Sequence, residues 1–310
     1  MGQDTWLQAL IRSRIREGKA LRRPRAIMRF PSAKWIYPWA YERQYGASIQ
    51  AFLRALYNPA IKDIRESWPH WVGGHKDSLH QDETWKTWSE IRATMKQQKV
   101  LFMKGGMARA IYVTGKGVDE VNGREWQKFV KSVGGQQFYV PEDFSKKIAT
   151  WEDLNFELVD SLGDELIKKM NTVVSTGIMD GTRWEDIADK LSLEGLEKGR
   201  ADFIARDQTG KLNGVLTKDR QTDAGVDEYE WDTSMDEKVR DEHQTLQGRI
   251  CSWDDPSVYK DSDDEDWKPR EADMFVGNPG DDYQCRCVAL PHFTNMWNKI
   301  QEEEDGAEQA

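Results

Sequence analysis

A chain of 310 residues with a formal net charge of −10 and only 38% apolar side chains is long enough for one large or two modest domains. No run reaches the roughly eighteen apolar residues that cross a bilayer, and the arginine-rich N-terminus is too polar for a secretory leader, so synthesis in the cytoplasm is expected. Three cysteines, Cys251, Cys285 and Cys287, argue against a disulfide framework and fit reduced thiols or metal ligands.

Residues 1–34 form a basic N-terminal arm that includes Arg12, Arg14, Arg16, Arg22, Arg23, Arg25 and Arg29, whereas the end of the chain is acidic. Two readings compete for the arm. It fits an acidic surface on its own chain or a partner, or it neutralises the phosphates of nucleic acid. A helical part is expected over 35–150. It opens with an aromatic cluster, Trp35, Tyr37, Trp39 and Tyr41, interrupted by Pro38 and suited to anchoring a protein partner. A helix over 41–56 places Ile49, Phe52, Leu53 and Leu56 on one face, and 68–74 is a turn region. Another helix over 84–95 carries Trp85, Trp88 and Ile91 as an ordinary packing stripe. The glycines between 105 and 135 suggest a hinge or loop.

Over 151–224 the pattern predicts a helical segment. Leu154, Leu158, Leu162, Leu166, Met170 and Val174 recur every four residues along a helix ending near Gly177. Thr182 and Glu185 have capping-box spacing for a short helix through Leu191. A further helix over 196–216 turns Phe203, Ile204, Leu212 and Leu216 inward. From 225 to 297 a compact α+β unit is expected: Tyr229, Trp231 and Thr233 alternate as in a half-buried strand, and a helix starts between Thr233 and Asp236 and stops at Gly248. The chain then returns as a strand over 249–253. Residues 261–266 make a solvated acidic loop, and the acidic tail 298–310 has nothing to bury. The expected fold class is α+β: a mainly helical N-terminal part followed by a small α+β C-terminal domain.

Two blocks stand out. The first runs from Trp231 through Asp236, Arg240 and His243 to Gly248; the second is Pro279-Gly280-Asp-Asp-Tyr-Gln-Cys285-Arg286-Cys287. Together they resemble the signature of the phage Mu F-like head morphogenesis family. Segments at 151–155, 181–188, 204–213 and 289–291 are similar to stretches of that family in the same order. The resemblance implies a minor capsid protein inside the virion. Its expected partners are the portal protein, the major capsid or scaffolding protein, and packaged double-stranded DNA. It implies assistance to head assembly and to DNA packaging or delivery by binding, first in the host cytoplasm and then in the capsid interior.

The residues of the two blocks admit more than one chemistry. On a helix, Asp236, Arg240 and His243 would share a side, a geometry that favours ion pairing over general acid–base work by His243. An extended Cys285-Arg286-Cys287 puts both sulfurs on one face and leaves Arg286 to pair with a carboxylate such as Asp236. Buried structural thiols are one reading of the cysteines. A structural zinc site with His243, Cys285 and Cys287, completed by Cys251 or His292, is another. The resemblance implies that some relatives carry Cys-x-x-Cys where this chain has Arg240-Asp-Glu-His243, which suggests a metal ancestry and leaves its retention open. No catalytic residues are assigned. A metal-dependent nuclease or hydrolase and a DNA-binding packaging accessory are the alternatives. The nuclease or hydrolase gains nothing from the sequence, because 261–266 lacks a glycine-bearing cation loop and Gly115-Lys-Gly117 lacks the spacing of a phosphate loop.

Overall fold

The computed structural model describes residues 4–20, 35–67, 78–134, 143–180, 182, 184–191, 198–263 and 266–309. Arg22, Arg23, Arg25 and Arg29, the turn region 68–74, and positions 181, 183 and 264–265 lie outside the described residues. The chain divides into two compact units. One comprises 1–39, 116–146 and 206–310, and the other 40–115 and 147–205.

The second unit is helical. It draws on α2 (Trp39–Ser67), α3 (Ser78–Phe102), a π-helical turn (Met103–Met107), the start of α4 (Ala108–Gly134), most of α5 (Ser145–Asp180), α6 (Trp184–Lys190) and the start of α7 (Lys198–Asp223). Ile49, Phe52, Leu53 and Leu56 are buried on α2 as their spacing predicts. On α3, Trp88 and Ile91 are buried but Trp85 is exposed. The buried line of α5 is Trp151, Asn155, Val159, Leu162, Leu166, Met170 and Val174, and Leu154 faces out. A strict four-residue repeat drifts around a helix of 3.6 residues per turn, so only the later members of the predicted row stay inward. Polar groups inside the unit are matched: Tyr45 donates to Asn155 at 2.9 Å, and Lys99 lies 2.9 and 2.8 Å from Asp160 and Asp164.

In place of the hinge expected between 105 and 135, the described residues 105–134 are helical, a π-helical turn running into α4. Ile111, Thr114, Val118, Val121, Glu125 and Phe129 recur at three- and four-residue intervals on α4 and are buried. Gly123 faces the Arg220 guanidinium, which fills the space a larger side chain would take. The helical period thus outweighs the glycines.

The first unit contains α1 (Trp6–Ala20), the remainder of α4 and α7, and an antiparallel sheet of β1 (Glu228–Asp232), β2 (Ile250–Ser252), β3 (Val258–Lys260), β4 (Lys268–Pro269) and β5 (Val288–Pro291), in the order β4-β3-β2-β1-β5. A short α8 (Asp241–Gln244) and a C-terminal α9 (Thr294–Gln309) complete it. Leu7, Ile11 and Ile15 of α1, Trp126 and Phe129 of α4, and Phe293, Met296 and Ile300 around α9 share one core. Tyr229, Trp231, Leu246, Cys251, Trp253, Cys285 and Cys287 share another.

Three expectations are corrected here. The acidic tail is helical, and Glu304 of α9 is gripped by Arg12 at 2.9 Å and Arg16 at 2.7 Å. Over its described residues the basic arm is therefore a packed helix, and of the two readings given to it the acidic surface of its own chain is the one these pairs match. Trp35 and Tyr37 are buried core residues instead of free anchors. Finally, no helix begins at Asp236. That segment is a turn with Met235 at φ 54°, and helix starts only at Asp241 with Arg240 extended before it. Among the described residues no helix is long and apolar enough to cross a membrane.

Candidate functional site

The site is assembled from α7, α8 and the irregular chain between β4 and β5. On α7, Arg206 and Asp207 bracket Gln284. The Arg206 Nε donates to its carbonyl at 2.9 Å, and its backbone N–H donates to Asp207 Oδ1 at 3.0 Å. Asp207 also receives Lys211 at 2.8 Å. Gln284 sits at φ 55°, an unfavourable conformation for a non-glycine residue that these bonds hold in place. One and two turns of helix on from Arg206, the loop lies directly on the α7 backbone. A methyl group at Gly210 would collide with the Cys285 carbonyl oxygen, and one at Gly214 with that of Pro279. The Pro279-Gly280 turn, with Gly280 at φ 97°, thus delivers the second block along a groove that only glycine leaves open.

From the other side, α8 presents His243. Its ring stands edge-on to Trp231 at 5.6 Å and lies 4.7 Å from Phe275, and the Phe275 N–H is held by the Glu242 carbonyl at 3.1 Å. His243 Nδ1 is 3.7 Å from Cys285 Sγ and 3.4 Å from Cys287 Sγ. Nε2 is 3.2 Å from Asp282 Oδ2, in ion-pairing range but not along a well-aligned hydrogen bond. The same Asp282 oxygen is 2.7 Å from Arg240 Nη1, and Arg240 Nη2 donates to the Tyr283 carbonyl at 2.8 Å. Arg240 and His243 therefore converge on Asp282, not on Asp236.

His243, Cys285 and Cys287 are only 2%, 4% and 6% exposed. Such enclosure suits packing or metal ligation and is unfavourable for a nucleophile that must reach a substrate. A hydrogen bond from Cys287 holds Cys285 well below the ordinary thiol range against the cost of burial, with His243 assisting. The same bond, together with burial, pushes Cys287 up.

Other predicted residues are placed as follows. All three cysteines are free thiols. Cys251 is buried beside Tyr229 and Trp253, outside the His243 group, and His292 pairs with Asp263 at 2.7 Å, so neither completes it. Arg286 stacks on Trp39 at 4.2 Å and reaches Asp236 only at 3.9 Å. Trp231 is fully buried, and Gly248, at φ 74°, donates to the Trp231 carbonyl at 2.8 Å. Arg14 pairs with Glu17 within α1. In the acidic loop, Asp261 is exposed and ion-paired to Lys268 and Arg249. Sequence reasoning assigned no role to Arg206, Asp207, Gly210, Gly214 or Asp282. A glycine pair four apart on a predicted helix was the available signal for a close backbone approach.

Residues 168–290 match the family described as "Phage Mu protein F like protein". A protein of Haemophilus influenzae described as "Uncharacterized protein" is 32% identical over 142 residues, covering 46% of this chain and 28% of that protein. The chain thus spans little more than a quarter of that relative's length. No solved structure matches the chain.

Proposed function

We propose that this chain, phage Mu F-like over residues 168–290, is a minor capsid protein of head morphogenesis that acts by binding. The observation that carries the reading is the closed state of the signature within the matched region: Trp231, His243, Cys285 and Cys287 form a core with no more than 6% exposure. A signature built this way fixes the shape of a binding module. The portal is the proposed partner, with the shell or its scaffold as the surrounding surface. Contact with packaged DNA is a weaker part of the proposal, because Arg12 and Arg16 are already occupied by Glu303 and Glu304.

Co-expression with the portal protein of the same phage, followed by affinity capture and native mass spectrometry, tests the reading. A stable complex of defined stoichiometry is the expected result. Failure to associate with portal alone and with assembling procapsids would overturn it. Incubation with labelled DNA and divalent cations should leave the DNA intact; cleavage would favour the hydrolase alternative.

A further inference from the structure

We propose that His243 Nδ1, Cys285 Sγ and Cys287 Sγ together hold one zinc ion that pins the second block to α8, with Asp282 orienting the imidazole. The three donor atoms lie within 4.8 Å of one another, and all belong to buried residues. An imidazole nitrogen carries either one proton or one lone pair, so Nδ1 serves one sulfur and leaves the other to bond its neighbouring thiol. A single cation at their centre satisfies all three. Zinc bonded at its usual N and S distances in tetrahedral geometry requires N···S separations of about 3.6 Å. The observed 3.4 and 3.7 Å bracket that value.

The surroundings agree. The Asp282 carboxylate lies 3.2 Å from Nε2, on the side of the ring away from the sulfurs, where its charge favours a proton on Nε2 and a lone pair on Nδ1 although no aligned hydrogen bond is formed. Arg240 holds the carboxylate in turn at 2.7 Å. Two thiolates and an imidazole are soft donors that select zinc over magnesium or calcium. A bond between cysteines two residues apart would be strained, and both are free thiols. Between β4 and β5 the chain forms no helix or strand, so a cross-link from its end to α8 ties down the least regular part of the unit. These residues supply three of zinc's four positions.

The test uses the full chain, purified without chelator, with zinc counted by mass spectrometry. About one zinc per chain is expected, retained by Cys251→Ser and lost by Cys287→Ser and by His243→Ala. Cobalt added to the chelator-stripped protein should give a sulfur-to-metal charge-transfer band. Asp282→Asn should keep that band but weaken zinc binding by about 10- to 100-fold, the effect of losing an orienting partner. If the ligand variants do not fold, the cobalt spectrum of the unaltered chain decides. A chain that carries no zinc and gives no charge-transfer band overturns the proposal, as does zinc retained in full by both ligand variants.

Discussion

Asp207 Oδ1 accepts the backbone N–H of Gln284 at 3.0 Å, joining positions 77 residues apart. With Arg206 taking the Gln284 carbonyl, both main-chain groups of a residue at φ 55° are fixed from one helix turn, immediately before Cys285. Asp207→Ala would leave the N–H without its charged acceptor, a loss of about 1.5–3 kcal/mol. Asp207→Asn keeps an acceptor oxygen and should lose less. Denaturant midpoints measure both, and equal, negligible losses would mean that Gln284 is held by other means.

The groove on α7 makes a sharper prediction. At Gly214 an added methyl meets the Pro279 carbonyl oxygen, a backbone atom that cannot rotate away. Gly214→Ala should therefore destabilise by about 1–3 kcal/mol despite alanine's higher helix propensity. Gly199, on the same helix, has nothing within 4 Å of such a methyl. Gly199→Ala should be neutral or slightly stabilising. Thermal melting of the two variants side by side would expose a wrong placement of the loop if both behaved alike.

Much of this arrangement was legible in the sequence. The inward faces of α2 and α7 follow from apolar periodicity, although Phe203 on α7 is exposed, and the alternation at Tyr229 and Trp231 marks β1. That Cys285 and Cys287 share a face follows from an extended tripeptide, whereas His243 beside them is one option among several, because spacing alone does not say which helix residue a later loop meets. Long-range charge was legible only as one of two readings of the basic arm, not as named pairs. Arg12 and Glu304 are 292 positions apart, and nothing local to either says that they meet. The α9 helix is hard to see for the same reason: Met296, Ile300 and Glu304 share a face, but that face needs α1 to cover it. The turn at Asp236 was missed because capping-type spacing also occurs in side-chain turns, and here Asp236 accepts the Lys238 N–H at 2.9 Å without starting a helix.

Acid should loosen the contact between α1 and α9. Arg16, and after it Arg12, hold the Glu304 carboxyl down at about 2 from its ordinary 4.5. A carboxyl depressed on folding contributes stability that is complete above the unfolded value and is lost as pH falls toward the folded one. The window is therefore roughly pH 4.5 to 2. The melting-temperature gap between the unaltered chain and Glu304→Gln should be constant near neutral pH and close within that window. A gap independent of pH would rule out the ionised pair as its source.

The apolar face of α1 makes it part of the core. Ile11 is fully buried with Trp126, Phe129 and Phe293 in its cluster. Ile11→Ala should cost about 2–5 kcal/mol by deleting buried atoms and leaving a cavity. An arm reserved for a partner would tolerate the change, so an unaltered denaturation midpoint would count against the packed helix.

Arg220 tests how far geometry matters beyond charge. Its Nη1 donates to Asn122 and its Nη2 to Asp119, both at 2.6 Å, while the guanidinium lies 4.6 Å over the Phe144 ring. Asn122 in turn donates to Asn213 and Thr217, so one planar fork closes a polar network between α4 and α7. Arg220→Leu should destabilise by about 3 kcal/mol, the lower end for a broken buried pair because Asp119 retains some solvent contact. Lysine restores the charge but offers no fork and a poorer stack, so Arg220→Lys should recover only part of the loss. Full recovery would reduce the site to a point charge, and a double-mutant cycle with Asn122→Ala would then show no coupling.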